Sequence, residues 1–391
     1  MQIFSELLSY AFRPFFLLGA LCAMFVMVLW VLALGGHGPV ASLPNPMLWH
    51  AHEMLFGFVL AIVAGFVMTA VAMWTGRTRL HGAPLGWLVA AWIAGRCVML
   101  FPSVLSGWLV AGVDMLFALL LVIFFGREVV ASGNRRNYVI VGIVVAMAVL
   151  NLVYHLGAAG LGTGLDLTAL LLMIHVVLVL ITAIAGRIVP AFTANWLKGQ
   201  GRLQAGASVP RSTAPVEIAT LVLTVMTGLA VTFAPASPST GIVALATAAI
   251  HALRMSRWSG LATLSEPLLF ILHVAYSWLP VGYVLVAWSV FGSTYPLTVA
   301  LHALTMGVVG SMVLAMTTRV PLGHTGRALH AARLTVFAYI LLTLAVIVRL
   351  LGPFAGQQYM QSVEIAAGGW IATFAIFIWV YGPILTQPRV D

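Results

Sequence analysis

The sequence predicts an all-α integral membrane protein: about twelve transmembrane helices in a multi-pass bundle with a three-unit pseudosymmetry. Three observations lead there. Of the 391 residues, 62% are hydrophobic and 7% charged, more apolar surface than a soluble domain can hide. Apolar runs of about 20 residues, enough to cross a bilayer, recur along the whole chain. Lys and Arg fall on alternate loops, the pattern that orients helices in a membrane.

The runs lie near 14–35, 47–74, 84–101, 104–125, 138–158, 165–190, 214–234, 239–254, 262–291, 294–318, 331–351 and 358–381, the eighth being the shortest. One set of connections carries Arg77 and Arg79; Arg127, Arg135 and Arg136; Lys198, Arg202 and Arg211; Arg254 and Arg257; and Arg319, Arg327 and Arg333. Arg13 and Arg389 join that side, and the alternate connections hold no Lys or Arg. An even number of spans then places both termini in the cytoplasm and makes the lipid bilayer the chief partner. The net charge of +9 comes from these basic loops. The first span follows Arg13 into the bundle without the pattern of a cleavable signal peptide. Cys22 and Cys97 both fall inside apolar runs and suggest neither a disulfide framework nor a thiolate zinc site. No phosphate loop, dinucleotide fingerprint or nucleic-acid motif stands in a fitting context. The chain reads as a single polytopic domain over residues 1–391, built of four-helix units meeting near 75–85 and 191–213, the second stretch being a basic, Gly-, Ala- and Ser-containing linker.

An internal repeat underlies those units. His52 to Trp74, His175 to Trp196 and His302 to His324 are 22, 21 and 22 residues apart, and the three histidines themselves 123 and 127. Trp74-Thr75-Gly76-Arg77 and His324-Thr325-Gly326-Arg327 end the first and third copies alike. The repeat puts His52, His175 and His302 on spans 2, 6 and 10.

Ionisable side chains inside spans face a bundle interior or a cavity. By the predicted orientation His50, His52, His155 and His302 sit near the outer face, with His175 and His273 deeper. His50 and His52 are about 200° apart on a regular helix and do not converge on one metal. A lone histidine of this kind is often a hydrogen-bonded helix contact; as a set, His52, His175 and His302 favour ligation. With no cysteine ligand set and no carboxylate cluster in the sequence, neutral imidazoles between apolar walls suit haem iron and copper. Arg96 and Arg349, at the outer ends of spans 3 and 11, either pair with haem propionates or snorkel to the interface, Arg96 having Asp114 as another partner. His273, Tyr276 and Ser277 share a helix face, as a polar track, a second metal position, or an interhelical contact. Arg187 with Pro190 and Arg319 with Pro321 mark helix ends.

The motifs Phe12-Arg13-Pro14-Phe15-Phe16, Trp49-His50-Ala51-His52-Glu53-Met54 with Phe56-Gly57, Trp74-Thr75-Gly76-Arg77, His302-Ala303-Leu304-Thr305-Met306-Gly307 and Arg319-Val320-Pro321 through Arg327 resemble the NnrS family over nearly the whole chain. Met73 before Trp74 departs from the family pattern, which has an asparagine there; Asn195-Trp196 keeps that pair. The resemblance implies a bacterial inner-membrane protein containing haem b and copper and linked to nitric oxide metabolism and nitrosative stress. The three-unit pattern is also similar to the main subunit of haem–copper oxidases, although span 10 here carries one histidine and no His-His pair follows span 6. A single haem with copper placed differently fits better.

Two functional readings result. In the first, the protein binds or reduces nitric oxide, as an oxidoreductase fed by quinol or a cytochrome; His52 and His302 are haem ligands, His175 and His50 the next candidates, and His175 with His273 part of a copper site. In the second, it is a transporter or metal-handling protein without redox catalysis, its histidines lining a path.

Overall fold

A computed structural model describes residues 2–202, 210–211, 213–292 and 294–390. It is helical throughout and has no strand among the described residues. Twelve long helices follow one another: α1 Phe12–Leu34, α2 Pro46–Thr75, α3 Gly82–Met99, α4 Gly107–Ala131, α5 Tyr138–Ala158, α6 Leu165–Gly199, α7 Ala214–Phe233, α8 Pro238–Ser256, α9 Pro267–Phe291, α10 Leu297–His324, α11 Arg333–Leu351 and α12 Tyr359–Thr386. Eleven of the described helices are long and apolar enough to cross a membrane, and α8 is the one that falls short. The reason lies in its sequence: α8 gives a face to Thr240, Thr247, His251 and Arg254, all fully buried. The chain is a multi-span α-helical membrane protein.

Backbone contacts divide it into two compact units. The first comprises Met1–Met173, Val320–Ala328 and Trp370–Asp391, and the second Ile174–Arg319 and Leu329–Gly369. In the first, α2 is the central element: Leu55 to Val71 is almost entirely buried, and Phe58 meets Trp370 and Phe374 edge-on. In the second, α9 is central, with Leu272, Tyr276, Leu279 and Tyr283 fully buried along it.

Three sequence expectations change. Pro190 and Pro321 do not end their helices but lie inside α6 and α10. In membrane bundles a proline is tolerated inside a helix because surrounding groups can satisfy the backbone it frees. The linker expected over 191–213 is correspondingly shorter, because α6 continues to Gly199; its positions 203–209 and 212 lie outside the described residues. Arg254, placed in a basic loop, is instead buried in α8, and its Nε donates to Glu217 Oε1 at 2.7 Å.

The first and third copies of the repeat share a local backbone. Directly after His52, Glu53–Val59 forms a π-helical turn, and directly after His302, Ala303–Gly310 does the same. Such turns are rare, carry hydrogen bonds from i to i+5, and gather at functional sites. The second copy has none, His175 lying within the continuous helix α6.

A buried polar centre in the first unit

Four helices of the first unit converge on one polar cluster. α2 supplies His52 and Glu53, α3 Arg96, α4 Asp114, and α5 Asn151 and His155, one turn apart on a single face. His52, Glu53, Asp114 and Asn151 are each no more than 2% exposed, and His155 is 6%. Glycines allow the approach. A Cβ on Gly95 would stand 2.9 Å from Asp114 Oδ1, and one on Gly57 2.8 Å from Arg96 Nη1. The π-turn starts at Glu53, beside the histidine it helps aim.

Arg96 bridges Glu53 and Asp114, one Nη to each carboxylate. Asp114 Oδ2 also accepts from Asn151 Nδ2 at 2.8 Å and lies 2.9 Å from His155 Nε2. That bond fixes the Asn151 amide, so its Oδ1 faces His52 Nε2 at 3.0 Å. Glu53 Oε1 lies 3.1 Å from the other ring nitrogen, Nδ1. Both nitrogens of His52 therefore face acceptors, with Asp114 Oδ2 a further one at 3.5 Å from Nε2. A neutral imidazole has one N–H. The arrangement is complete only with a second ring proton or with a cation at Nε2. Charge says the same: two carboxylates against one guanidinium leave the cluster with one uncompensated negative charge when the histidines are neutral, and an unbalanced buried charge is costly.

Within the described residues His52, Asp114 and His155 form the one group of three such side chains able to hold a metal ion, with ligand atoms within 4.8 Å of one another. Ligands about 2.0–2.1 Å from a tetrahedral ion stand about 3.3 Å apart. The 2.9 and 3.5 Å separations from Asp114 Oδ2 to the two imidazoles bracket that spacing. Glu53 behind His52 is the carboxylate that commonly orients a metal-binding imidazole. A cavity of about 370 Å³ reaches His155 and Tyr154 and is also lined by Asn45, Ser103 and Asp166. It connects the centre to the loops that carry no Lys or Arg.

The other candidates are placed as follows. His50 stacks on Trp30, with ring centroids 4.7 Å apart, and so turns away from the cluster. Arg96 is occupied by two carboxylates, the alternative the sequence left open. In the second unit His175 packs where α7 comes close at Gly228. His273 Nε2 lies 3.0 Å from Thr193 Oγ1, an interhelical contact. Tyr276, expected on the same track, reaches a different group. It accepts from Arg254 Nη1 and pairs with His251 Nδ1, both at 2.7 Å. His302, half-buried, donates from Nδ1 to the Thr298 carbonyl at 2.7 Å, which leaves its Nε2 carrying the lone pair. The guanidinium of Arg349 is within electrostatic reach of that ring. Arg349 is 9% exposed, and its Nη1 has no hydrogen-bond partner.

Sequence reasoning had His52, and Arg96 with Asp114 as an alternative pair, but did not join them to each other or to His155. Nothing in the sequence linked Asp114 to His155, whose meeting depends on how α4 and α5 pack. The usable signal was the Asn151–His155 spacing, which puts two polar groups on one face of a span.

Comparison with curated proteins finds no match. The family model described as NnrS protein matches residues 6–389. An all-helical membrane chain matched end to end by that model, with its first histidine motif at the heart of a buried polar centre, belongs to the NnrS family.

Proposed function

We propose that the protein is a copper- and haem b-containing protein of the bacterial inner membrane, both termini cytoplasmic, that acts on nitric oxide in nitrosative stress. The link to nitric oxide rests on the family. The single observation that carries the metal reading is the His52–Asp114–His155 group, with two acceptors facing the nitrogens of one imidazole and one negative charge unbalanced. Imidazole and carboxylate donors suit a first-row divalent ion such as copper(II). Three ligand atoms within 4.8 Å leave no room for a macrocycle between them. This reading therefore assigns His52 to the ion and not to haem.

For haem the second unit offers the better fit. His302 carries its free lone pair on Nε2 because Nδ1 is held by a backbone carbonyl, the second-shell bond usual for ligating histidines. The unpartnered Nη1 of Arg349 suits an anionic propionate. Copper would supply one-electron chemistry, and haem iron a site for a diatomic ligand. The chain's own part is to hold these groups dry, to neutralise charge through Arg96 and Arg349, and to orient His52 through Glu53.

The test is spectroscopy with metal analysis on purified protein. His302→Ala is expected to lose the haem absorption and its shift by nitric oxide while retaining copper. His155→Ala is expected to lose copper and keep haem. His324→Ala should leave both intact, because His324 packs against Tyr10 and Phe12 instead. Haem retained in His302→Ala, or copper unaffected by His155→Ala, would overturn the assignment. Removing the orienting carboxylate by Glu53→Gln should weaken copper retention by about 10–100-fold, read by competition with a chelator. An unchanged affinity would show that Glu53 does not support the ligand.

The cavity leading from Asp166 to His155 favours a second reading, delivery of an ion from the outer side without redox catalysis. Copper uptake into vesicles without any spectral response to nitric oxide would select it.

A further inference from the structure

The polar centre has a second opening, on its apolar side. A crevice of about 330 Å³ lies between α1, α2 and α3, within the size range of small-ligand sites. Leu21, Phe25 and Ile93 stand at its mouth and are 42–51% exposed, as side chains facing lipid would be. Trp49 and Trp92 form its walls, and Glu53 and Arg96 its floor. Both indoles are pinned: Trp49 Nε1 donates to the Met99 carbonyl at 2.6 Å and Trp92 Nε1 to the Gly57 carbonyl at 2.9 Å. With both indole N–H groups taken, the walls offer no free donor. On the floor, Arg96 Nε is buried and makes no hydrogen bond, although both Nη atoms are paired with carboxylates. A buried N–H without a partner is rare in folded proteins.

We propose that this crevice binds a lipid-soluble quinol, the ring between Trp49 and Trp92 and one hydroxyl on the Glu53–Arg96 floor. The inference deepens the reading above by naming the partner of the same centre.

The chemistry of the floor selects the occupant. A buried donor and a buried carboxylate stand side by side, so the complementary group is neutral and both accepts and donates. A phenolic hydroxyl does this: its oxygen accepts from Arg96 Nε–H, and its O–H donates a hydrogen bond to the carboxylate of Glu53. A phospholipid phosphate would meet the negative charge of Glu53. An acyl chain would leave Arg96 Nε as it is, a buried polar group without compensation. A flat aromatic ring suits two indole walls, and its isoprenoid tail can leave through the apolar mouth. Glu53 Oε1 is 3.1 Å from His52 Nδ1, so the docked hydroxyl would stand one side chain away from the ion ligand.

The experiment is photolabelling of the purified full-length protein with an azido-substituted short-chain ubiquinol, kept reduced under anaerobic conditions and mapped by mass spectrometry, with decylubiquinol as competitor. The label is expected on the crevice lining, within residues 18–26, at Trp49 or within 92–100, and excess competitor should remove it. Ile93→Trp fills the mouth from a lipid-facing position without touching the polar centre, and should reduce labelling and decylubiquinol affinity by about tenfold or more while metal content stays unchanged. Arg96→Lys removes Nε–H but retains the charge, and should weaken binding similarly. Label spread evenly over the lipid-facing helices, no competition, or unaltered affinity in Ile93→Trp would overturn the proposal. So would a co-purifying phospholipid that decylubiquinol does not displace. Metal analysis of the same samples separates this inference from the ion reading: wild-type protein that labels in the crevice yet holds no metal upholds the quinol site and overturns the ion site.

Discussion

Replacing Asp114 by alanine is expected to empty the ion site and to destabilise the protein by about 3–5 kcal/mol. Four side chains depend on this carboxylate. Arg96 and Asn151 donate to it, His155 lies 2.9 Å from it, and His52 3.5 Å. Removing one partner of a buried ion pair leaves the other charge without compensation, which costs far more than the net worth of the pair. Alanine also leaves the Asn151 amide without the bond that orients it, so Oδ1 need no longer face His52. Asp114→Asn separates the two effects. It preserves volume and can still accept from Asn151, so it should recover part of the stability but not the ion, since the negative charge is gone. Metal content by mass spectrometry and unfolding in SDS titration are the measurements. An Asp114→Ala protein that unfolds like wild type would show that the cluster is not the buried electrostatic centre described here.

The second large effect is expected at Arg254. Its guanidinium is fully buried and uses every edge: Nε and Nη2 bond Glu217, and Nη1 reaches the Thr182 carbonyl at 2.9 Å and the Tyr276 hydroxyl at 2.7 Å. Tyr276 in turn pairs with His251 Nδ1, and His251 Nε2 is 3.0 Å from Thr224 Oγ1. Gly186 on α6 clears the space, because a Cβ there would collide with the Arg254–Glu217 pair. Arg254→Ala strands a carboxylate, a carbonyl and a phenol together, and the expected loss is again about 3–5 kcal/mol. The double variant Arg254→Leu with Glu217→Leu removes both charges and should be markedly less destabilised than Arg254→Ala alone, since a buried pair replaced by apolar residues is often near neutral. Equal losses in the two would mean that the pair contributes through packing and not through charge. Haem and copper content should be unchanged in both, which distinguishes this network from the polar centre of the first unit.

How far each network was legible depends on its wiring. His52 and Glu53 are adjacent in sequence and belong to a repeated motif, so the first histidine of the centre was visible at once. Asp114 was noticed as an alternative partner of Arg96, and His155 as a histidine near the outer face, but not their meeting, since nothing local couples residues 41 positions apart. Arg254 was misread because a basic residue near the end of a short span looks like a loop charge; only Glu217 at the start of α7 explains its burial. The π-turns after His52 and His302 left a trace, a glycine five residues after each histidine, but glycine alone does not specify a π-turn.

The sequence by itself determined that the chain is a many-spanned helical membrane protein, that its spans fall near the twelve helices observed, that its histidine motifs repeat, and that it resembles the family to which it belongs. These properties follow from hydropathy, helical length and local spacing, which are written in consecutive residues. Tertiary structure alone decided which buried groups meet: that Arg96 is shared by Glu53 and Asp114, that His52 and His155 converge on one carboxylate, and that an unpartnered N–H lies at the floor of an apolar crevice. In a membrane bundle the apolar faces of the helices are nearly interchangeable, so the choice of partner rests on a few polar contacts and on the glycines that allow helices to approach closely.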